Sequence, residues 1–215
     1  MVDLNQACVR HIQLMRLSDK QKRVLIASLT LFSEIGFEKT TSLDIARRAE
    51  VSEGTVFSYF KTKEGILNTL LLLFFDQVIP ETIELFTDQK VLCNDESVTV
   101  FFRSMIEDRL NFLTNNRDII KILFSRCLID SSLFEKTGSI VQNNIVIPLN
   151  PILDRYKAKG ELVNWPNERI IRNLISLMLS YAVPSMLNSK AIDVGKVSDE
   201  MIEILANRIV SVSYT

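Results

Sequence analysis

The first clear pattern in the chain is a helical repeat of apolar residues over residues 18–35. Apolar side chains recur every three or four positions, which places them on one face of a helix of about five turns. This face comprises Leu25, the small Ser28, Leu29, Phe32 and Ile35. Gly36 follows where a helix can end easily, because glycine adopts the left-handed conformation without strain. The pattern predicts a first long helix that buries one face.

Two short helices are predicted directly after it. Thr41 is followed three residues later by Asp44, the spacing of a capping box, which marks the start of the second helix. Ser52 can cap a third helix, and Thr62 offers a new cap for a fourth. A longer helix followed by two short ones joined by a turn predicts a helix-turn-helix unit of three helices.

The third helix, within the stretch VSEGTVFSYFKTKEG (residues 51–65), has two different faces. Val56 and Phe60 stand four residues apart and share the face that can pack against the first two helices. Thr55, Ser58 and Tyr59 fall on the opposite side, where hydroxyl groups suit the base edges of a DNA major groove. A half-buried aromatic is the alternative interpretation of Tyr59.

Neighbouring residues suit contact with a nucleic-acid backbone. Gly54 has no side chain and lets the helix approach closely, while Lys61 and Lys63 stand where phosphates would run. Lys63 also lies in the first turn of the fourth helix, whose free N–H groups favour anions. Solvated surface charges are the alternative interpretation of both lysines.

Beyond Gly65 the chain shows helical patterns without repeats, low-complexity segments or β-alternation. Helices are predicted over residues 66–87, 96–114, 117–129, 133–147, 152–159, 167–188 and 198–212, with breaks at 88–95, 115–116, 148–151 (PLNP), 160–167 and 189–198. The predicted fold is all-α with about nine to ten helices. We expect a helix-turn-helix DNA-binding domain over residues 1–65, with an N-terminal arm over 1–17, and a larger helical bundle over 66–215.

Charge and cysteine content add two indications. Residues 1–65 carry ten Lys/Arg and eight Asp/Glu, whereas the remainder carries fifteen and eighteen, which together give the net charge of −1. A slightly basic N-terminal part is a weak indication of an anionic partner. The three cysteines are widely spaced, so they favour a reducing cytoplasm over a disulfide framework.

Other function classes lack the residues that they need. The most apolar run, residues 66–75, is about half the ~20 residues that cross a membrane. His11 is the only histidine, and the sequence contains no phosphate-binding glycine loop. We therefore expect no enzyme, no cofactor, no metal site and no membrane partner.

Residues 23–67, RVLIASLTLFSEIGFEKTTSLDIARRAEVSEGTVFSYFKTKEGIL, closely resemble the DNA-binding region of TetR-family transcriptional regulators. The shared pieces are the LF, GF and TT pairs around the end of the first helix, DIARRA in the second, and VSEGTVFSYFKTKEGIL across the third and fourth. The resemblance implies that Ser42, Thr55, Ser58, Tyr59 and Lys63 occupy positions that commonly touch DNA. The full set of predicted DNA-binding residues is Thr41, Ser42, Ser52, Gly54, Thr55, Ser58, Tyr59, Lys61 and Lys63.

Three residues depart from the family pattern. Phe57 stands where a phosphate-contacting tyrosine is usual, and Leu43 where a polar or basic residue often reaches a base. Glu50 replaces the usual small residue, often glycine, at the turn between the helices, which costs turn strain and adds a negative charge near DNA. These departures leave open a dimeric protein-interaction module with a degenerate helix-turn-helix. An activator or a ligand-independent DNA-binding factor is also open.

The helix predicted over residues 167–188 is apolar on more than one face, so it needs both its own core and a second surface, and the last predicted helix adds further apolar residues. We predict a homodimer that reads a palindromic operator through two half-sites about 34–36 Å apart, or a multiple of it. A fully intramolecular core is the alternative. Candidate interface residues are Ile171, Leu174, Ile175, Met178, Tyr181, Ala182, Leu205 and Ile209.

The central helices are rich in Phe, Met and Ile, most of which belong to a core. The family resemblance nevertheless implies an effector cavity there, and a repressor that releases DNA when a small apolar or amphipathic molecule binds. Candidate pocket residues are Phe74, Phe101, Met105, Phe112, Phe124 and Cys127. Arg103, Arg109 and Arg126 could anchor an acidic head group, with surface positions as the alternative.

Overall fold

Helices form the regular structure of the chain wherever the structure describes it. The computed structural model describes residues 3–81, 96–188, 191–207 and 209, and no β-strand occurs among them. The predicted all-α class is confirmed. The far ends of the helices predicted over 66–87 and 198–212, and the predicted break at 88–95, lie outside the described residues.

Eleven α-helices occur in the described part of the chain. They are α1 (Leu4–Leu14), α2 (Asp19–Ile35), α3 (Ser42–Arg48), α4 (Glu53–Phe60), α5 (Lys63–Leu73), α6 (Val98–Asn115), α7 (Arg117–Cys127), α8 (Ser131–Val141), α9 (Ile147–Ala158), α10 (Asn167–Asn188) and α11 (Val194–Ala206). The π-helical turns Phe74–Val78 and Gln142–Val146 continue α5 and α8. None of the described helices is long and apolar enough to cross a membrane.

The described residues pack into two units. The first comprises residues 1–82 and 116–137, and the second comprises 83–115 and 138–215. This division follows packing alone, and it groups α7 with the N-terminal helices. The functional boundary expected after Gly65 stays a prediction.

In the first unit, α2 begins and packs as the sequence predicts. Ser18 caps the helix in a capping box with Gln21, and Gly36 ends it at a φ of 86°. The predicted inward residues Leu25, Leu29 and Phe32 are all buried. Ile35, the last residue of the helix, is 44% exposed, so its predicted place on the buried face is wrong.

The predicted N-terminal arm is largely a packed helix. In α1, Leu4, Cys8 and Ile12 recur every four residues and are almost completely buried. His11 Nε2 is hydrogen-bonded to Glu81 Oε2 at 2.7 Å, which ties α1 to the end of α5 and its continuation. The apolar repeat was present in the sequence, but it spans only three helical turns.

The second unit has its core between α6, α9, α10 and α11. Phe102, Ile106, Leu153 and Ile170 are fully buried there. Tyr156 joins them, and its hydroxyl donates a hydrogen bond to the carbonyl oxygen of Glu96 at 3.2 Å. These contacts come from helices that lie far apart in the sequence.

One predicted break is absent. The PLNP stretch was expected to interrupt the chain, yet Pro148 lies in the first turn of α9 and Pro151 lies inside that helix. Proline is tolerated in a first helical turn because its missing N–H has no obligatory partner there. The π-helical turn Gln142–Val146 directly before it changes the hydrogen-bond register at this point.

Candidate nucleic-acid interface and apolar cavity

Helix α4 presents different residues inward and outward. Ser52 caps it by accepting a hydrogen bond from the backbone N–H of Thr55 at 3.2 Å. Val56 is 3% exposed and anchors the helix, as predicted. Ser58 and Tyr59 are exposed, and Thr55 is half-buried with its hydroxyl 2.8 Å from that of Ser52. A row of hydroxyl groups therefore faces away from the core.

Helix α3 is held at its start by the predicted capping box. Asp44 N donates to Thr41 Oγ1 at 3.1 Å, and Asp44 Oδ2 accepts from the backbone N–H of Thr41 at 3.0 Å. The Thr41 hydroxyl also donates to Asp44 Oδ2 at 2.6 Å. These hydrogen bonds, the one from the Thr41 hydroxyl first, lower the pKa of Asp44 below its ordinary value of 3.8. The carboxylate is thus charged at neutral pH and holds Thr41, the residue before Ser42, at the start of α3.

Ser42 and Glu53 connect the starts of α3 and α4. The Ser42 hydroxyl donates to Glu53 Oε1 at 2.8 Å, although the two residues are eleven positions apart. Sequence reasoning included Ser42 and missed Glu53. No local pattern marks Glu53, because its contact depends on how the two helices pack.

The turn between α3 and α4 has the strain that the sequence indicated. Glu50 has a φ of 53°, in the left-handed region where glycine is favoured. A second such residue was not foreseen, since Lys61 ends α4 at a φ of 62°. Both side chains are exposed, so the positive φ of each residue costs energy, but neither residue buries its charge.

Lys63 makes a specific contact within the first unit. Its ammonium donates to the carbonyl oxygens of Phe37 at 2.8 Å, Thr40 at 3.1 Å and Glu38 at 3.4 Å. It also lies 4.3 Å from the centre of the Phe37 ring. Lys63 therefore ties the start of α5 to the loop after α2. Lys61 is exposed and has no such described contact.

Two glycines near α4 have opposite surroundings. A Cβ atom at Gly65 would lie 2.2 Å from the carbonyl oxygen of Phe60, so the fold requires glycine there. A Cβ atom at Gly54 would meet nothing nearer than the Ser52 hydroxyl oxygen at 4.0 Å. Glycine inside a helix costs about 0.5–1 kcal/mol relative to alanine. Nothing in the described fold requires that cost at Gly54.

The residues that depart from the family pattern lie at the surface. Leu43 is 43% exposed and Phe57 is 46% exposed, close to the 38% of Tyr59. Phe57 follows Glu53 by four positions, so both lie on one flank of α4. The candidate interface thus combines hydroxyl groups, exposed apolar side chains and the Glu53 carboxylate.

An apolar cavity of about 160 Å³ lies inside the second unit. Its lining residues are Phe101, Met105, Arg109, Leu113, Asn144, Ile145, Leu149, Ile152, Ile171, Leu174, Ile175, Met178 and Leu179. Phe101 and Met105 were predicted for this role. Arg109 and Asn144 are the two polar members of the lining.

Other predicted pocket residues lie elsewhere. Phe74 lines a separate cavity of about 20 Å³ in the first unit, and Phe124 and Cys127 belong to α7 of that unit. Cys127 Sγ contacts Thr137 Oγ1 at 3.3 Å. Phe112 lies outside the lining and packs under the Arg109 guanidinium, 5.1 Å from its ring centre. Aromatic content alone did not distinguish core from cavity.

Most of the candidate interface residues belong to the core or the cavity of the second unit. The residues that are buried within this chain are Ile171, Leu174, Ala182, Leu205 and Ile209. Ile175 and Met178 line the cavity, and the Tyr181 hydroxyl donates to Glu200 Oε2 at 3.0 Å. Leu205 and Ile209 also line a shallow depression beside α10, and the interface assignments stay predictions. Asn173, Ser176, Leu177 and Ser180 share one stripe of α10, on which Ser176 and Ser180 are exposed and Asn173 and Leu177 are half-buried.

The comparison with known proteins identifies the family. Residues 24–70 match the family model of bacterial regulatory proteins, tetR family. This segment of the chain is a TetR-family DNA-binding region. It contains the whole of α3 and α4 with the residues of the candidate interface, and it identifies the chain as a DNA-binding transcriptional regulator.

Individual relatives extend this result. The fatty acid metabolism regulator protein of Bacillus subtilis (strain 168) is 26% identical over 198 residues, 88% of this chain and 98% of that protein. The HTH-type transcriptional regulator HbdR of Aromatoleum sp. (strain CIB) is 41% identical over 69 residues, 31% of this chain and 30% of HbdR. These relatives of the chain are thus named as regulators, a class that typically lacks enzymatic activity.

A solved structure shows the same fold. The crystal structure of FadR from Bacillus subtilis in complex with stearoyl-CoA aligns with a TM-score of 0.58 at 21% identity. The alignment covers 85% of this chain and 96% of FadR. The fold that this chain shares with FadR therefore extends well beyond the helix-turn-helix.

Proposed function

We propose that this chain is a homodimeric repressor that binds a palindromic operator in the cytoplasm and is released by a small effector with an apolar body. The observation that carries the DNA-binding part is the outward face of α4, where Ser58 and Tyr59 are exposed beside Gly54. Gly54 supports this role because its missing side chain serves no contact within the described fold. A helix with a bare backbone and exposed hydroxyl groups fits a major groove.

The salt dependence of DNA binding tests the DNA-binding part of the proposal. Anisotropy titrations of the full chain with random and selected duplexes should show log K falling steeply with log salt concentration. A flat, weak response would favour a protein-interaction module instead. Tyr59→Ala should weaken specific binding and leave the dimer intact, whereas loss of the dimer would make Tyr59 a structural residue.

The dimer is supported by the outward face of α10 and α11. Asn173, Ser176, Leu177 and Ser180 follow one stripe of α10. They line a shallow depression of about 250 Å³ together with Trp165, Ile204, Leu205 and Ile209. Small residues on such a stripe let two helices approach closely. Isologous contact of this face would form a four-helix interface.

Sedimentation equilibrium tests the interface. Ser176→Arg places a bulky charge on the stripe and should convert the dimer to a monomer, while the helical circular dichroism stays unchanged. Lys121→Glu changes an exposed charge on α7 and is the control, since it should remain dimeric. A dimeric Ser176→Arg variant would place the interface elsewhere.

The cavity supports an effector with a compact apolar body. A cavity of about 150 Å³ lined by apolar side chains is large enough for benzene, so 160 Å³ suits a ring or a short chain. Arg109 is the one cation among its lining residues, held by Asp108 Oδ2 at 2.6 Å. Its presence favours an acidic head group. The stearoyl-CoA bound to FadR of Bacillus subtilis is consistent with an apolar effector here.

Matched six-carbon ligands test the effector class. Calorimetry should show hexanoate binding more tightly than hexanol or hexylamine, and hexanoate should release operator DNA. Arg109→Gln should abolish the preference for the acid. Arg103→Gln is the control, because Arg103 pairs with Asp199 at 2.6 Å and does not line the cavity. Equal binding of all three ligands would exclude the acidic head group.

A further inference from the structure

A carboxylate occupies the surface that meets DNA. Glu53 is exposed at the first position of α4, and its one described side-chain partner is the hydroxyl of Ser42. A negative charge near phosphates weakens binding to every sequence, because the phosphate backbone supplies most of the sequence-independent affinity. A specific contact between Glu53 and DNA would offset this repulsion.

The position of Glu53 suits base readout. In helix-turn-helix proteins, the N-terminal residues of the recognition helix reach base edges in the major groove. Ser42 holds the carboxylate by donating to Oε1, which fixes its orientation and leaves Oε2 to accept another hydrogen bond. The fixed geometry lowers the entropy lost when a further donor binds.

The chemistry of the groove restricts the donor. A carboxylate only accepts hydrogen bonds, and the major groove offers donors only on the amino groups of cytosine and adenine. Adenine presents the acceptor N7 beside its amino group, which repels a carboxylate, whereas cytosine presents only the amino donor. Guanine and thymine present acceptors alone on their polar atoms.

We propose that Glu53 reads a cytosine in each operator half-site and that Ser42 is its positioning residue. The inference rests on the proposed DNA-binding function and adds a base preference to it. The acceptor atoms of guanine and thymine, and N7 of adenine, repel the same carboxylate, so Glu53 acts both by attraction to cytosine and by discrimination against the other bases.

Duplex selection with the full chain tests the inference. The wild type should select one position per half-site at which cytosine is preferred about tenfold. Glu53→Gln should shift that position toward adenine, since an amide pairs with both N6 and N7. Ser42→Ala should lower the cytosine preference severalfold while the melting temperature stays unchanged, and Ser42→Thr should restore it.

Two controls separate readout from charge. Glu50→Gln removes a charge from the same region and should raise affinity for all sequences equally, without changing the base preference. Replacing the selected cytosine by 2-pyrimidinone removes its amino group; this should weaken the wild type about tenfold and leave Glu53→Gln nearly unaffected. An identical base preference in wild type and Glu53→Gln would overturn the inference. Absence of any selective DNA binding by the wild type would instead overturn the proposed function.

Discussion

The ammonium of Lys63 lies 2.8 Å from the carbonyl oxygen of Phe37 and 4.3 Å from the centre of the Phe37 ring. One side chain thus satisfies carbonyl groups of the loop between α2 and α3 from the first turn of α5. The same residue was predicted to contact phosphate. Its two roles can be measured separately, because the first affects stability and the second affects DNA affinity.

Lys63→Met should lower the free energy of unfolding by about 2 kcal/mol, since charge-assisted hydrogen bonds to backbone carbonyls are lost. Urea unfolding measures this change. Lys61→Met is the matched control: stability should be unchanged, while the salt slope of DNA binding should fall by about 0.9 for the lost phosphate contact. Equal stability of Lys63→Met and wild type would show that the carbonyl contacts contribute nothing net.

Gly65→Ala should destabilise the protein by about 1–3 kcal/mol, because the new methyl group would overlap the carbonyl oxygen of Phe60. Thermal and urea unfolding measure the loss. Gly54→Ala is the opposite case: it should retain or slightly raise stability and weaken DNA binding, since the methyl group faces outward. If Gly54→Ala loses DNA affinity without losing stability, Gly54 serves DNA binding whereas Gly65 serves folding.

Glu50→Gly should raise the free energy of unfolding by about 0.5–1 kcal/mol. The left-handed φ of 53° costs a residue other than glycine about 1–2 kcal/mol, and glycine would remove this cost. Part of the resulting gain in stability is offset, because glycine loses more conformational freedom than other residues on folding. Glu50→Gln keeps the strain and removes only the charge, so its stability should match wild type. A Glu50→Gly variant no more stable than Glu50→Gln would show that the turn carries no strain.

Asp44→Asn should lower stability at neutral pH, and the difference from wild type should narrow under acid conditions. Hydrogen bonds from Thr41 lower the pKa of Asp44 in the folded protein. A carboxyl whose folded pKa is lowered contributes stability above its ordinary value of 3.8, and that contribution is lost as the pH falls through the folded pKa. Urea unfolding between pH 7 and pH 2 measures the trend. A constant difference at all pH values would contradict it.

Phe57→Tyr should raise DNA affinity by up to about tenfold, because the added hydroxyl can donate one hydrogen bond to a phosphate. The side chain is 46% exposed, so the hydroxyl should not disturb packing, and unfolding should match wild type. Anisotropy with the selected operator measures the gain. Unchanged affinity would show that this flank of α4 does not reach the DNA backbone.

Local spacing in the sequence was enough to predict the starts of the short helices and the strained turn. Thr41 and Ser52 cap α3 and α4 through groups only three residues away, and Glu50 takes its left-handed conformation within a turn of a few residues. Such contacts depend on local spacing, which a sequence shows directly. The inward position of Val56 follows for the same reason, since helical period alone assigns it.

Contacts between residues far apart in the sequence depend on how the helices pack, so local patterns did not predict them. Ser42 meets Glu53 because α3 and α4 pack together, and Lys63 reaches Phe37 across 26 positions of sequence. The cavity likewise depends on where several helices leave space, so Phe101 lines it while the equally apolar Phe74 does not. Apolar period shows that a side chain is buried, but only packing shows whether it meets a core, a cavity or a second chain.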